Sequence, residues 1–276
     1  MFPSVLAAFA PFNKTFEGYL PWMYVDRLNL VTTGMGNLID PKENALRLPW
    51  RRPDGSLASA QEISDAWTKV KNSGAAGKGG GNQGHLTTLR LNEEGIKQVI
   101  NSKVTENERI LKTRIPRWDT LPADAQLAVH SMAWAMGPNF KYPKFIAALN
   151  QTIPDFDTAI KQSYIPDNPQ KSLEYPPADK ALRDRNVANR ALLIGAKKVV
   201  EEGLPIDLFS TPIDRIVDIA KSGIQFFTSG SQKVAQAVSD AATDAAKASS
   251  PVVATIAVLG VAGCAVAAVQ EAKKRD

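Results

Sequence analysis

The chain has 276 residues, 44% of them hydrophobic, a formal net charge of +5 and one cysteine, Cys264. That length accommodates one sizeable core with an appendage. A lone cysteine excludes an internal disulfide framework, and two isolated histidines, His85 and His130, lack zinc-ligand spacing, so no metal site is expected.

Residues 206–276 carry seven charges of each sign, which leaves the whole basic excess in residues 1–205. An excess of this size suits encounter with an anionic polymer or surface. It is no larger than ordinary solubilising charge, and no nucleic-acid partner is expected.

The opening MFPSVLAAFAPFNK is apolar but has no Lys or Arg ahead of the run, as a secretory signal requires. It reads as the first helix. Residues 22–36 alternate around Arg27-Leu28-Asn29, as a hairpin does. A turn through residues 27–31 predicts that Asp26 faces Thr32, Tyr24 faces Gly34 and Trp22 faces Gly36. A short helix is expected at Ala60–Lys71, followed by a glycine-rich run.

That run contains Gly79, Gly81 and Gly84 at the spacing of a dinucleotide fingerprint, yet no strand precedes it and no helix opens at it. A phosphate-binding loop fails as well, because Gly79 follows Lys78 where Ser or Thr should stand. The run reads as a flexible surface loop, and no cofactor is expected.

From residue 91 onward helical signals dominate. Asn92 is a fitting N-cap for a helix with Ile96, Val99, Ile100 and Val104 on one face. In LPADAQLAVHSMAWAMG the apolar residues run around most of the circumference, as in a buried central helix stopped by Gly137-Pro138. KFIAALNQ and the segment ending at Gly203 supply further helices. Residues 1–205 therefore read as α+β with helices in the majority.

The composition then changes. Thr211-Pro212 suits an N-cap and first turn, and Ile213, Ile216, Val217, Ala220, Ile224 and Phe227 form an apolar stripe. Residues 206–249 are expected to be an amphipathic helical tail, and residues 250–276 an apolar helix with a basic end. The 19 uncharged residues Pro251–Val269 just reach across a bilayer core of about 30 Å at about 1.5 Å per residue. Small residues at Gly260, Gly263, Cys264 and Ala267 would let two such helices approach closely. The alternative is a helix packed inside an oligomer.

Glu17 and Asp26 raise a question of chemistry. Glu17 follows the first helix among Phe16, Tyr19, Leu20 and Trp22, surroundings that favour a protonated carboxyl. Asp26, sharing a sheet face with Thr32, could hold a water. Two carboxyls in unlike settings make an acid and a base, the division of labour that glycosidic cleavage needs. Read without other support, Asp26 is a turn-capping residue sooner than a catalytic one.

The segment Glu17-Gly18, Tyr24, Asp26, Thr32, Gly34, Gly36 and Leu38 resembles, without a gap, the active-site segment of the phage T4-type lysozymes. The similarity extends to LNEEGIKQVINSKVTENERILK, to QLAVHSMAWAMGPNF and to ALRDRNVANRALL, and covers most of residues 1–205 apart from an insertion at about 42–88. The resemblance implies a lysozyme-like α+β fold, mostly helical with a small N-terminal hairpin, followed by an all-α tail. It also implies a muramidase that cuts the β-1,4 bond between N-acetylmuramic acid and N-acetylglucosamine in peptidoglycan.

On that resemblance Glu17 is the general acid, Asp26 supports the attacking water and Thr32 is its hydroxyl partner. Gly34, Gly36, Asn37 and Leu38 would border the sugar, and Trp134 would wall the groove. Asn37 stands where many relatives have His, so an ion pair made by that His is missing. The arginine that faces the catalytic Glu is either Arg183 or Arg185.

A wall hydrolase with such a tail is expected to be virion-associated and delivered to the host periplasm or inner membrane. The tail would meet a membrane through residues 251–269, or bind other copies or other virion proteins. The competing reading is a structural or channel-forming particle protein whose lysozyme-like module binds glycan without cutting it.

Overall fold

A computed structural model describes residues 1–166, 179–222, 236–238 and 240. The apolar run 251–269 and most of the expected amphipathic tail lie outside the described residues. Within them the chain is mixed α+β and mostly helical, with one small antiparallel sheet.

Helix α1 (Pro3–Asn13) opens on a proline, whose missing N–H is harmless in a first turn, and buries Val5, Phe9 and Phe12. Three strands follow, β1 (Leu20–Val25), β2 (Val31–Gly34) and β3 (Asn37–Leu38), paired in the order β1-β2-β3. Helices α2 (Lys42–Leu46) and α3 (Ala60–Lys71) and a 3-10 turn (Gly80–Leu86) come next. Ser59 and Glu62 start α3 with reciprocal bonds that satisfy two orphan backbone donors.

Helix α4 (Glu93–Arg114) is capped by Asn92, whose side chain accepts from the Gly95 N–H. Helix α5 (Ala123–Met136) is the buried centre: every residue from Ala123 to Ala133 is shielded from solvent, and Gly137 ends it at φ 80°. Short helices α6 (Pro143–Leu149) and α7 (Phe156–Gln162) lead to α8 (Lys180–Glu202), which packs along α5 and stops at a left-handed Gly203.

Packing continues past residue 205. The Ala123 N–H donates to the Ile206 carbonyl, Ser4 Oγ donates to the Asp207 carbonyl, and α9 (Ile213–Lys221) buries Ile216, Ile219 and Ala220 against α8 and α1. Thr211 does not cap α9: Pro212 takes the capping position, and the buried Thr211 hydroxyl has no hydrogen-bond partner among the described residues.

Two further expectations are corrected. The hairpin register pairs Tyr24 with Thr32 and Val25 with Val31, not Asp26 with Thr32, Tyr24 with Gly34 or Trp22 with Gly36. The reason is a shorter loop. Asn29 adopts φ 58° while the Asp26 N–H donates to the Leu30 carbonyl, giving a three-residue connection over residues 27–29. The slip is even, so residues 24, 26 and 32 still share one face. The glycine-rich run is exposed at Gly74, Gly77, Gly79 and Gly81, but it is not a free loop throughout: Gly80 and Gly84, in the 3-10 turn, lie against the Tyr24 and Trp22 rings of β1.

Candidate active site

Glu17 lies in the bend between α1 and β1, held by its own N–H donating to the Asn13 carbonyl. It is therefore a loop residue, four positions beyond the last residue of α1. Arg185 of α8 donates from Nη2 to Glu17 Oε1 at 2.5 Å, which resolves the choice between Arg183 and Arg185 for this contact. The Arg185 side chain is nearly buried, 4% exposed against 29% for Glu17, and its guanidinium sits 5.5 Å from the Phe16 ring centre. Glu17 Oε2 has no hydrogen-bond partner among the described residues, and Glu17 borders a cleft.

Asp26 is fixed by the hairpin loop. Its Oδ1 accepts from the Leu28 N–H at 2.8 Å and the Leu30 N–H at 2.9 Å. The turn-capping reading of Asp26 is thus correct, and it still leaves Oδ2 for a water. In the observed register Asp26 and Thr32 are diagonal neighbours on one face, about 7–8 Å apart rather than directly opposed. Thr32 is nearly buried, and its Oγ1 donates to the Tyr24 carbonyl at 3.3 Å.

Burial raises the Tyr24 phenol above its ordinary value; the Thr32 hydroxyl lowers it, and the charges of Glu17 and Asp26 both raise it. Its place in the motif was visible in the sequence, but its pairing with Thr32 was not, since that depends on the register.

A cleft of about 960 Å³ opens beside Glu17, and its walls include Arg27, Met35, Gly36, Trp134 and Arg185. Asp26 and Thr32 are not in its lining; Arg27, the next residue after Asp26, is. Trp134 of α5 donates its indole N–H to the Met35 carbonyl at 3.1 Å, joining α5 to the turn after β2. Gly36 is exposed to the cleft at φ 82° with no atom near an added Cβ. Gly34 is buried at φ 62°, and a Cβ there would meet Asn37 Oδ1 at 2.8 Å.

Asn37 is also buried. Its Oδ1 accepts from the Met35 N–H at 3.1 Å and its Nδ2 has no partner, so the amide braces the turn between β2 and β3. Leu38 is 52% exposed on β3 opposite Thr32, outside the cleft lining. Of the five expected sugar contacts, Gly36 and Trp134 line the cleft and Gly34, Asn37 and Leu38 do not.

Among the described residues no cluster of His, Cys, Asp and Glu is arranged to hold a metal ion, and no helix is long and apolar enough to cross a membrane. No protein-family model, curated protein or solved structure matches the chain.

Proposed function

We propose that the chain is a glycoside hydrolase. More particularly, it is a muramidase that cleaves the β-1,4 bond between N-acetylmuramic acid and N-acetylglucosamine in peptidoglycan. The observation that carries this reading is Glu17, ion-paired with the nearly buried Arg185, at the wall of a cleft large enough for saccharide units, with Asp26 and Thr32 on the neighbouring hairpin.

Glu17 donates its proton from Oε2 to the glycosidic oxygen as the bond from that oxygen to the anomeric carbon breaks. Arg185 holds the other oxygen and fixes the carboxyl plane. Asp26 Oδ2 and the Thr32 hydroxyl orient a water toward the opposite side of the sugar, and Asp26 assists its deprotonation. The Trp134 ring offers an apolar wall to the glycan.

Release of soluble fragments from dye-labelled peptidoglycan by the full chain tests the reading. Glu17→Gln should lower the rate by about 10²- to 10⁴-fold while glycan binding persists. Glycan binding without release by the unaltered chain would instead favour the catalytically silent module.

Delivery from a virion to the host periplasm or inner membrane is the setting this reading suits. The tail would engage membrane through residues 251–269, or other copies or virion proteins. Its support is the uncharged run Pro251–Val269 closed by Lys273, Lys274 and Arg275. Liposome partitioning of the full chain against a chain ending at Ser222, which retains α9, tests the membrane role; equal partitioning would refute it.

A further inference from the structure

The insertion between the hairpin and α4 has no part in the mechanism above, yet it reaches the strand that carries Asp26. In the sheet order β1-β2-β3, strand β1 pairs with a neighbour on one side only. Along an antiparallel edge every second residue directs its N–H and C=O outward, and buried groups so directed need partners. Val25 is such a residue, 1% exposed and immediately before Asp26.

Gln83 supplies both partners. Its Oε1 accepts from the Val25 N–H at 2.9 Å and its Nε2 donates to the Val25 carbonyl at 2.9 Å. The same nitrogen lies 3.2 Å from the Ala75 carbonyl, and the side chain is 1% exposed. One amide thus serves as a one-residue strand at the outer edge of β1. The carrier segment is itself fixed. Trp22 Nε1 donates to the Gly80 carbonyl at 3.0 Å, and Arg90 Nη2 donates to the Gly84 carbonyl at 2.7 Å.

The consequence follows from peptide geometry. The Val25 carbonyl and the Asp26 N–H belong to one planar unit. Gln83 holds that unit from outside the hairpin and the Leu30 carbonyl, accepting from the Asp26 N–H at 3.0 Å, holds it from inside. With the plane fixed and Asp26 Oδ1 held by two loop N–H groups, the direction of Oδ2 is set.

We propose that Gln83 is a positioning residue for Asp26, so that the insertion, through one buried amide, aims the carboxylate that orients the attacking water. The proposal rests on the muramidase reading. Losing the amide should let Asp26 drift, and an error of about 1 Å at a reacting group costs about a hundredfold in rate.

Two variants test it, each assayed on peptidoglycan well below its own Tm. Gln83→Met should lower kcat about ten- to a hundredfold with KM little changed. Gln83→Glu provides a pH signature. Protonated, its carboxyl offers Val25 one acceptor and one donor, as the amide does; ionised, it offers two acceptors and repels the carbonyl. Its kcat should approach wild type at acid pH and fall as pH rises, on a limb absent from wild type, and this variant also serves should Gln83→Met fold poorly.

In an Asp26→Asn background Gln83→Met should lower Tm as before but cause no further loss of rate, since residues acting through one group are not additive. Unchanged kcat in both Gln83 variants, or an equal loss of rate with and without Asp26, overturns the positioning role while the muramidase reading stands. No hydrolysis by wild type overturns both.

Discussion

At the scale of single residues, the site divides by what each carboxyl oxygen already holds. Glu17 commits Oε1 to Arg185 and Asp26 commits Oδ1 to two loop amides, so each keeps one oxygen without a hydrogen bond among the described residues. Thr32 is the third member, and its hydroxyl makes a long bond of 3.3 Å to the Tyr24 carbonyl. Thr32→Val keeps the shape and removes that oxygen. It should leave the folding stability within about 1 kcal/mol of wild type and, on the muramidase reading, lower kcat about 10- to 100-fold, because the water loses one of its two guides. Stopped assays on soluble glycan with parallel thermal melts check both numbers, and a variant with normal kcat removes Thr32 from the chemistry. Glu17, Asp26 and Thr32 could be singled out in one dimension because their selection rests on spacing and residue type. Gln83 was not, since an amide that completes a strand edge 58 positions away leaves no local pattern.

At the scale of elements, the insertion braces the hairpin from two directions. Lys71 at the end of α3 donates to the Asn29 carbonyl at 2.7 Å and pairs with Asp40, while Trp67 of the same helix donates to the Ile39 carbonyl. On the other side the 3-10 turn presses glycines onto β1. A Cβ at Gly80 would lie 2.6 Å from Tyr24 Cδ2 and 2.9 Å from Leu20 Cδ1, whereas one at Gly81 would meet nothing within 4 Å. Gly80→Ala should therefore cost about 1–3 kcal/mol through overpacking and lower activity, because the displaced ring is the one beside Asp26 and Thr32. Gly81→Ala should be neutral or stabilising by up to about 1 kcal/mol. Equal effects of the two in thermal melts would show that the close approach is not what selects glycine at position 80. Helices announced themselves through periodicity, caps and stops: α3 matches its expected span, Asn92 caps α4 and Gly203 ends α8. The hairpin register and the packed glycines did not. Both depend on one loop conformation or one missing Cβ, which composition reads only as flexibility.

At the scale of the whole molecule, two buried ionisable groups on α5 should give the chain opposing pH dependences. His130 is enclosed by Phe9 and Trp118, and neither ring nitrogen has a hydrogen-bond partner among the described residues. Burial pushes it down to about 4, from an ordinary 6.5. Between those values the unfolded chain binds a proton that the native chain refuses, so stability is lost as pH falls through that window. Asp124 begins α5 and ties the strap after α8 to the core, accepting from Ser210 N–H and Oγ, both at 3.0 Å. Its burial outweighs those bonds and pushes the carboxyl up to about 7, from 3.8. Here the native chain keeps a proton that the unfolded chain has released, so stability is lost as pH rises from about 4 to 7. Each slope can reach about 1.4 kcal/mol per pH unit, and between about pH 4 and 6.5 the two have opposite sign. Wild type should therefore show a shallow profile there. His130→Leu should uncover the Asp124 slope, with Tm falling as pH rises, and should gain about 1–2 kcal/mol near pH 4 by removing two unsatisfied polar atoms. Asp124→Asn should uncover the His130 slope, with Tm rising over the same interval. Thermal melts of the three proteins from pH 4 to 7 at fixed ionic strength distinguish these outcomes. Parallel profiles for the two variants would mean that the strap and the central helix do not balance each other through these side chains.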